Sequence, residues 1–316
     1  MKQHITRAYN SFFVDASGAT ITKQSKEPRL RDEIIYYEAM RNTPHTIFFP
    51  RFLGSRFENG MYKMELEYYA YKNLGDYMVY EPFNVPFWEK VAKSLQNVLD
   101  RFTTTRQEGD FSAHARAMYI EKTEKYYQDL LKNPKFKALS RNETLKINGE
   151  RYLNFAEIWD DVKEKIEKEL LPLQKMSVIH GDMCFSNILC GINPKTDTCI
   201  LKFVDPRGKF GTSGIFGDPL YDYAKLIHSY EGKYEYIIYD QFVLEENQSL
   251  TQFNIGYPNS NHRRIKEIFG DFGRPMARLI EGLIYIGMCS RHYDSLDRQT
   301  VMYTNGVRLL NEALSI

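Results

Sequence analysis

Residues 180–190 read HGDMCFSNILC, and they interrupt an otherwise apolar segment, MSVIHGDMCFSNILC, with an aspartate at 182 and an asparagine at 187. The continuation, NIL–GINPKTDT–CILKFVD, reads as a hairpin whose turn carries Gly, Asn and Pro. Such a hairpin returns the chain so that Asn187, at the start of one strand, and Asp205, at the end of its partner, share one end. Asp182 lies in the loop just before, five residues ahead of Asn187 and 23 ahead of Asp205. A carboxylate and an amide oxygen on adjacent strand ends are hard oxygen ligands, suited to Mg²⁺ that keeps several waters. An acceptor five residues upstream is placed to orient a hydroxyl. That is the layout of phosphoryl transfer: one aspartate for the nucleophile, an asparagine and an aspartate for the metal. Any one of these groups alone would serve as a turn former or a helix cap. Three in this order around one hairpin point to chemistry.

These residues carry a family resemblance. HGDMCFSN resembles the HGD-four-residues-N catalytic loop of the aminoglycoside phosphotransferase and choline kinase group, the small-molecule branch of the protein-kinase-like fold. FVDPRG stands where that group has its metal-binding aspartate, and FGDPLYDYAKL resembles its GDP-two-residues-D segment. The FVDPRG variant is similar to kinase-like proteins of bacterial surface-polysaccharide pathways. The resemblance implies a bilobal α+β protein-kinase-like fold, with Asp182 as base and Asn187 and Asp205 as Mg²⁺ ligands. It implies that Asp222 braces the catalytic loop through hydrogen bonds, that His180 supports the loop without titrating, and that ATP or GTP is the co-substrate. Asp218-Pro219 reads as a helix N-cap followed by Pro at the first helical position.

The amino-terminal part reads as strand-rich with one helix. SFFVD–ASG–ATITKQ is a hairpin turning at Gly18, RLRDEIIYYEAMR is helical, and FLGSRF–ENG–MYKMELEYY is a second hairpin turning at Asn59-Gly60. From about residue 73 the chain turns helical, as in VPFWEKVAKSLQNVLDRF and PMARLIEGLIYIGMCSRH; residues 133–150 read as a loop or irregular insertion, and helices dominate again from about 217. The division expected is a nucleotide-binding lobe over 1–72 and a catalytic, acceptor-binding lobe over 73–316.

The resemblance also implies a Lys–Glu ion pair in the small lobe that holds nucleotide phosphates. Lys23 and Glu33 are the candidates, with Lys26, Glu27 and Glu38 competing. Lys23 shares a strand face with Ile21 and Ala19, either toward the cleft or toward solvent. The family's glycines after the first strand are missing from RAYNSFFVD, so Asn10 and Ser11 would donate hydrogen bonds instead. Glu67, Tyr68 and Tyr69 form the expected inter-lobe hinge that meets a purine edge. Arg207 either clamps a phosphate or carboxylate on the acceptor or is a surface charge on a glycine-rich loop. Tyr221, with Tyr223, Tyr230, Tyr234 and Tyr236, is either part of an aromatic cage or packing. Asp271-Phe272-Gly273 spells a protein-kinase metal tripeptide, but no apolar strand precedes it and it reads as a turn.

Composition narrows the rest. A chain of 316 residues, 43% hydrophobic and 26% charged, builds a real core. A net charge of +1 gives no general reason to expect nucleic acid or an anionic membrane. No run is long and apolar enough for a membrane span or a signal peptide. The four cysteines form no CxxC pair, which argues against a zinc knuckle and fits a reduced, cytoplasmic protein. The 23 tyrosines read as rings in cores with hydroxyls at the surface. The function expected is phosphoryl transfer from ATP or GTP to a hydroxyl of a sugar, amino alcohol or related metabolite. Choline and aminoglycosides are alternative acceptors, and a catalytically idle binding module is the alternative function. A metal-dependent hydrolase is a weaker third, since two-metal sites want more His and Asp ligands.

Overall fold

The computed structural model describes residues 10–193, 195–270 and 275–315. The chain opens with strands β1 (Asn10–Val14) and β2 (Thr20–Ser25), helix α1 (Pro28–Met40), and strands β3 (Phe52–Glu58) and β4 (Met61–Glu67). The four strands form one antiparallel sheet in the order β1-β2-β4-β3. Asn59 and Gly60 both take positive φ, 52° and 72°, the backbone that a two-residue hairpin turn needs to match strand twist. Helix α1 closes one face of the sheet through Leu30, Ile34 and Tyr37, all buried.

The chain then crosses through β5 (Lys72–Asn73) into α2 (Leu74–Tyr80), where Asn73 caps the helix by accepting the Asp76 N–H at 2.8 Å. Helix α3 (Val85–Phe102) follows, burying Trp88, Val91, Leu95, Val98, Leu99 and Phe102 along one stripe. After β6 (Arg106–Glu108), α4 (Ser112–Arg116) runs through a π-helical turn at Ala117–Glu121 into α5 (Lys122–Leu130). Next come α6 (Pro134–Leu139), β7 (Thr144–Ile147), β8 (Glu150–Leu153), α7 (Phe155–Glu169) and β9 (Lys175–Val178). The central hairpin is β10 (Ile188–Asn193) with β11 (Thr198–Phe203), and β5 pairs on its other edge. Short strands β12 (Lys209–Phe210), β13 (Thr212–Ser213) and β14 (Phe216–Gly217) lead to α8 (Pro219–Tyr230) and α9 (Tyr234–Ile238). The remainder is β15 (Val243–Glu246), β16 (Gln252–Gly256), α10 (Asn261–Phe269), α11 (Pro275–Cys289) and α12 (Leu296–Leu314). Helix α11 packs against α5, α8 and α12 and carries the largest part of the helical core.

The fold is thus α+β, with a β-rich amino-terminal part and a helical remainder. Two expectations need correction. Residues 133–150 are not irregular: they hold α6 and the start of the β7–β8 hairpin. Within the mainly helical region after 217, β15 and β16 join that hairpin in a sheet ordered β15-β16-β7-β8, with β16 parallel to β7. Each of these strands is short, so period-two alternation had too few residues to stand out. The tyrosine hydroxyls are largely internal. Tyr36 donates to the Ile179 carbonyl, Tyr119 to Asp218, Tyr285 to the Gly232 carbonyl and Tyr303 to Asn154, all from buried rings. The Asp271-Phe272-Gly273 tripeptide lies outside the described residues.

The loop after β11 is clamped onto α1. Gly208 has φ +68°, and a Cβ there would sit 2.2 Å from the Asp32 carbonyl oxygen. Ser213 Oγ donates to Asp32 Oδ1 at 2.6 Å beside it. Replacing Gly208 with alanine therefore combines a left-handed backbone with a backbone clash. Gly208→Ala should cost at least ~2 kcal/mol in urea unfolding. Gly18→Ala, with φ +69° but open space around it, should cost only about 1 kcal/mol.

Candidate active site

The loop between β9 and β10 is held from below by one helix. Asp222, in the first turn of α8, accepts the His180 N–H through Oδ2 and the Gly181 N–H through Oδ1, each at 2.7 Å. Burial pushes its carboxyl up to about 7, while the two N–H donors pull it back down. Helix α8 is itself started by Asp218, which accepts the Leu220 N–H at 2.9 Å and the Tyr119 hydroxyl at 2.7 Å. Gly181 has φ +76°, and a Cβ there would lie 2.7 Å from the Arg207 Cβ, so glycine lets the loop after β11 close directly onto the 180–182 turn.

The His180 ring ties the two loops together. Its Nδ1 accepts the Asp182 N–H at 3.2 Å, which leaves Nε2 to donate to the Val204 carbonyl at 3.0 Å. Phe49 stacks on the ring at 6.1 Å. Burial holds the imidazole down at about 4, so it is neutral through the physiological range.

Asn187 ends a 3₁₀ turn at Phe185–Asn187, and its Nδ2 donates to the Asp182 carbonyl at 2.9 Å. With the amide nitrogen committed, Oδ1 is the coordinating atom left. On the facing strand Ile188 pairs with Phe203, and the Val204 N–H donates to the Asn187 carbonyl at 3.0 Å. Asp205 follows with φ +57°, a left-handed backbone uncommon outside glycine, which turns its half-buried carboxylate out of the strand line.

Lys23 reaches this carboxylate from the small sheet. Its Nζ lies 2.5 Å from Glu33 Oε2 and 2.7 Å from Asp205 Oδ1, and the lysine is buried. Of the two faces open to it on β2, Lys23 therefore lies on the cleft face, and Glu33 is the residue of α1 that meets it. Burial alone would raise the Asp205 carboxyl, but Lys23 and Arg29 outweigh it and hold it well below the usual range. Burial pushes Glu33 up to about 7, against the pull of Lys23.

Asp182 sits between two cations that sequence reasoning missed. Lys225 Nζ is 2.8 Å from Oδ1, and Arg29 Nη2 is 3.4 Å from Oδ2. Lys225 is buried; burial would lower its ammonium, but Asp182 outweighs it and keeps it protonated. The available signal was spacing: Lys225 follows Asp222 by three residues on one helix, so both lie on the face toward the loop. Arg29 carried no comparable signal, since its contact spans 153 residues.

The turn between β1 and β2 is closed by its own aspartate. Asp15 Oδ1 accepts the Ala19 and Thr20 N–H groups, both at 2.9 Å, and Oδ2 accepts the Ser17 hydroxyl at 2.5 Å. An internal carboxylate fills the nest of N–H groups. Ser11 is exposed on β1, paired with Gln24. The side chain of Asn10 lies outside the described residues. In the segment expected to be the hinge, the Glu67 N–H donates to the Arg51 carbonyl and the Tyr68 N–H to the Ala19 carbonyl, both at 2.9 Å. The Tyr69 hydroxyl donates to Glu67 Oε2 at 3.0 Å.

Among the described residues, no group of three or more His, Cys, Asp or Glu side chains is arranged to hold a metal by itself. Asn187 Oδ1 with the Asp205 carboxylate is a two-oxygen set, and it fits Mg²⁺, which commonly takes its other ligands from water and substrate phosphate. Also among the described residues, no helix is long and apolar enough to cross a membrane.

No protein-family model matches the sequence, and no curated protein matches it. The fold does match solved structures. A thermostable mutant of aminoglycoside phosphotransferase APH(4)-Ia in its apo form superposes with a TM-score of 0.58 at 11% identity, covering 94% of this chain and 89% of that one. A ternary complex of that enzyme with AMP-PNP and hygromycin B gives a TM-score of 0.59 at 12% identity, covering 96% and 90%. A GDP complex of an aminoglycoside 2'-phosphotransferase-IIIa mutant gives 0.56 at 12% identity, covering 98% and 89%. The chain has the protein-kinase-like fold of the aminoglycoside phosphotransferases.

The neutral imidazole of His180 yields a pH prediction. Its folded pKa of about 4 lies below the unfolded value near 6.5, so the unfolded chain binds the extra proton between them and stability rises with pH across that window. The unfolding free energy of the wild type minus that of His180→Asn should grow from pH 4 to 6.5, by on the order of 3 kcal/mol at full extent. Parallel urea titrations at several pH values measure this difference.

Proposed function

We propose that this protein is a small-molecule kinase that transfers the γ-phosphoryl of ATP or GTP to a hydroxyl of a sugar, amino alcohol or related metabolite. The observation that carries the reading is the contact chain Glu33–Lys23–Asp205, which joins the small sheet to the hairpin end bearing Asn187 and Asp182. A Lys–Glu pair on a sheet and its helix, beside an aspartate and an asparagine on a hairpin, is the electrostatic apparatus of phosphoryl transfer. The likeness in fold to phosphotransferases solved with AMP-PNP supports it. We assign nucleotide binding to residues 1–72 and acceptor binding to 73–316, and we place the enzyme in the cytoplasm.

In this mechanism Lys23, steadied by Glu33, binds nucleotide phosphate oxygens. We assign purine contacts to the backbone of Glu67, Tyr68 and Tyr69, and phosphate contacts to Asn10 and Ser11. Asn187 and Asp205 would hold Mg²⁺, which when bound offsets charge on the phosphate oxygens. Asp182 accepts a hydrogen bond from the acceptor hydroxyl, orients its lone pair, and takes the proton as the new P–O bond forms and the bond to the nucleoside diphosphate breaks. Lys225 and Arg29 fix where the oxygens of Asp182 point. His180 and Asp222 hold the loop.

Asp182→Asn should lower kcat by about 10²- to 10⁴-fold while leaving nucleotide affinity nearly unchanged. Lys23→Met should instead weaken nucleotide binding. Coupled nucleoside diphosphate release over a panel of hydroxyl acceptors, with calorimetric nucleotide titration of each variant, reads both. Nucleotide binding without phosphorylation of any acceptor would favour an idle binding module, and turnover untouched by Asp182→Asn would overturn the role given to that residue.

A further inference from the structure

The ground beside Asp182 is basic. Tyr221, adjacent in sequence to the bracing Asp222, is buried and wedged between Phe210 at 6.1 Å and Tyr119 at 6.4 Å between ring centroids, so its phenol oxygen is fixed in place. Two cations converge on that oxygen: Arg207 Nη1 donates to it at 3.2 Å and Lys122 Nζ at 3.4 Å. They arrive from different directions, Lys122 from the start of α5 just after the π-helical turn and Arg207 from the loop closed onto Gly181. Arg207 is anchored by its N–H to the His180 carbonyl and its Nε to the Lys209 carbonyl, both at 2.9 Å. Arg291 stands behind, its guanidinium 5.8 Å from the ring of Tyr126, one helical turn along α5 from Lys122.

Among the described residues, none of Lys122, Arg207 and Arg291 is ion-paired to a carboxylate, whereas Lys225 next to them is committed to Asp182. Like charges held this close on a rigid ring repel one another, and the natural relief is an anion. Burial first, then Arg207, Lys225 and Arg291, press the Lys122 ammonium well below its ordinary range, against an opposing pull from Asp182. An oxyanion bound there would reverse that pressure. A guanidinium and an ammonium side by side suit a phosphate or carboxylate group.

We propose that the acceptor is an alcohol that also carries an oxyanion, phosphate or carboxylate, seated on Lys122 and Arg207 with Arg291 adding to the field, so that its hydroxyl reaches Asp182. This rests on the kinase reading above and gives that site its substrate class. It sets the chain apart from a site built for a polycation: an aminoglycoside or a quaternary ammonium would meet Lys122 and Arg207 where it needs carboxylates.

The test has two arms on the full chain. In the first, with ATP and Mg²⁺, sugar phosphates and polyol phosphates, uronic and other hydroxy acids, neutral sugars, choline and aminoglycosides are compared as acceptors. Turnover confined to the oxyanion-bearing alcohols is expected, and the phosphate and carboxylate sets show which anion the site prefers. Lys122→Gln and Arg207→Gln should each raise the acceptor KM by about 10- to 100-fold, with KM for ATP unchanged and Arg207→Lys partly restoring it. Equal turnover of neutral or cationic acceptors, or an unchanged acceptor KM in both variants, overturns the proposal while leaving the kinase reading intact. In the second arm, inorganic phosphate is titrated calorimetrically into protein saturated with Mg²⁺ and ADP. Binding that is lost in the Lys122→Gln/Arg207→Gln double variant supports the anion subsite even if no acceptor is phosphorylated, in which case only the kinase reading fails. No phosphate binding in the wild type overturns the subsite.

Discussion

The carboxylate of Asp222 accepts two backbone N–H groups of the 180–182 turn at 2.7 Å, one through each oxygen, and the turn would not hold its shape without them. Gly181 there is left-handed, so the turn makes no repeating backbone bonds of its own. Charge-assisted bonds of this kind are worth roughly 1.5–3 kcal/mol each, enough to offset the strain of one tight turn. Everything downstream is referenced to it. His180 bridges from the turn to Val204, Asn187 bonds the Asp182 carbonyl, and Arg207 packs its Cβ on Gly181. A helix of the large part thereby sets the position of three polar side chains at the end of a hairpin.

Around that frame the charges are sorted into two sets. Lys23 lies between Glu33 and Asp205, and Asp182 lies between Lys225 and Arg29. In each set a central group is flanked by two of opposite sign, which allows ionised side chains to persist where burial alone would neutralise them. The sets meet through Arg29, which holds Asp182 while its field also lowers Asp205. Helix α1 thus contributes Arg29 to one set and Glu33 to the other, and its Asp32 anchors the loop after β11. A shift of α1 would disturb both sets at once.

The cleft also departs from simple expectation in its polar inventory. The nest of N–H groups in the β1–β2 turn closes on Asp15, and the tyrosines nearest the loop spend their hydroxyls inside the protein. Tyr36 supports the Ile179 carbonyl from α1, and Tyr119 supports Asp218. Buried phenols act here as hydrogen-bonding struts between elements, consistent with the rule that buried polar groups find partners.

Much of the arrangement was legible in the chain itself because it is local. Asp182, Asn187 and Asp205 are brought together by one hairpin, and Asp218-Pro219 announces the helix that carries Asp222. Asn59-Gly60 specifies its turn through backbone sterics alone. What the sequence could not rank was which of several lysines and glutamates meet across the cleft: Lys23 and Glu33 are ten residues apart, but their choice over Lys26, Glu27 and Glu38 depends on how α1 docks on the sheet. Nor could it show Arg29 and Lys225 closing on Asp182, or Lys122 and Arg207 converging on Tyr221, since those contacts join distant segments and are selected by packing and charge in the folded chain. The four-stranded sheet β15-β16-β7-β8 escaped for the same reason, as short strands about a hundred residues apart pair only once the helices have brought them together. Local patterning determined the cluster of Asp182, Asn187 and Asp205, and tertiary docking decided its electrostatic surroundings, because charge acts through space and not along the chain.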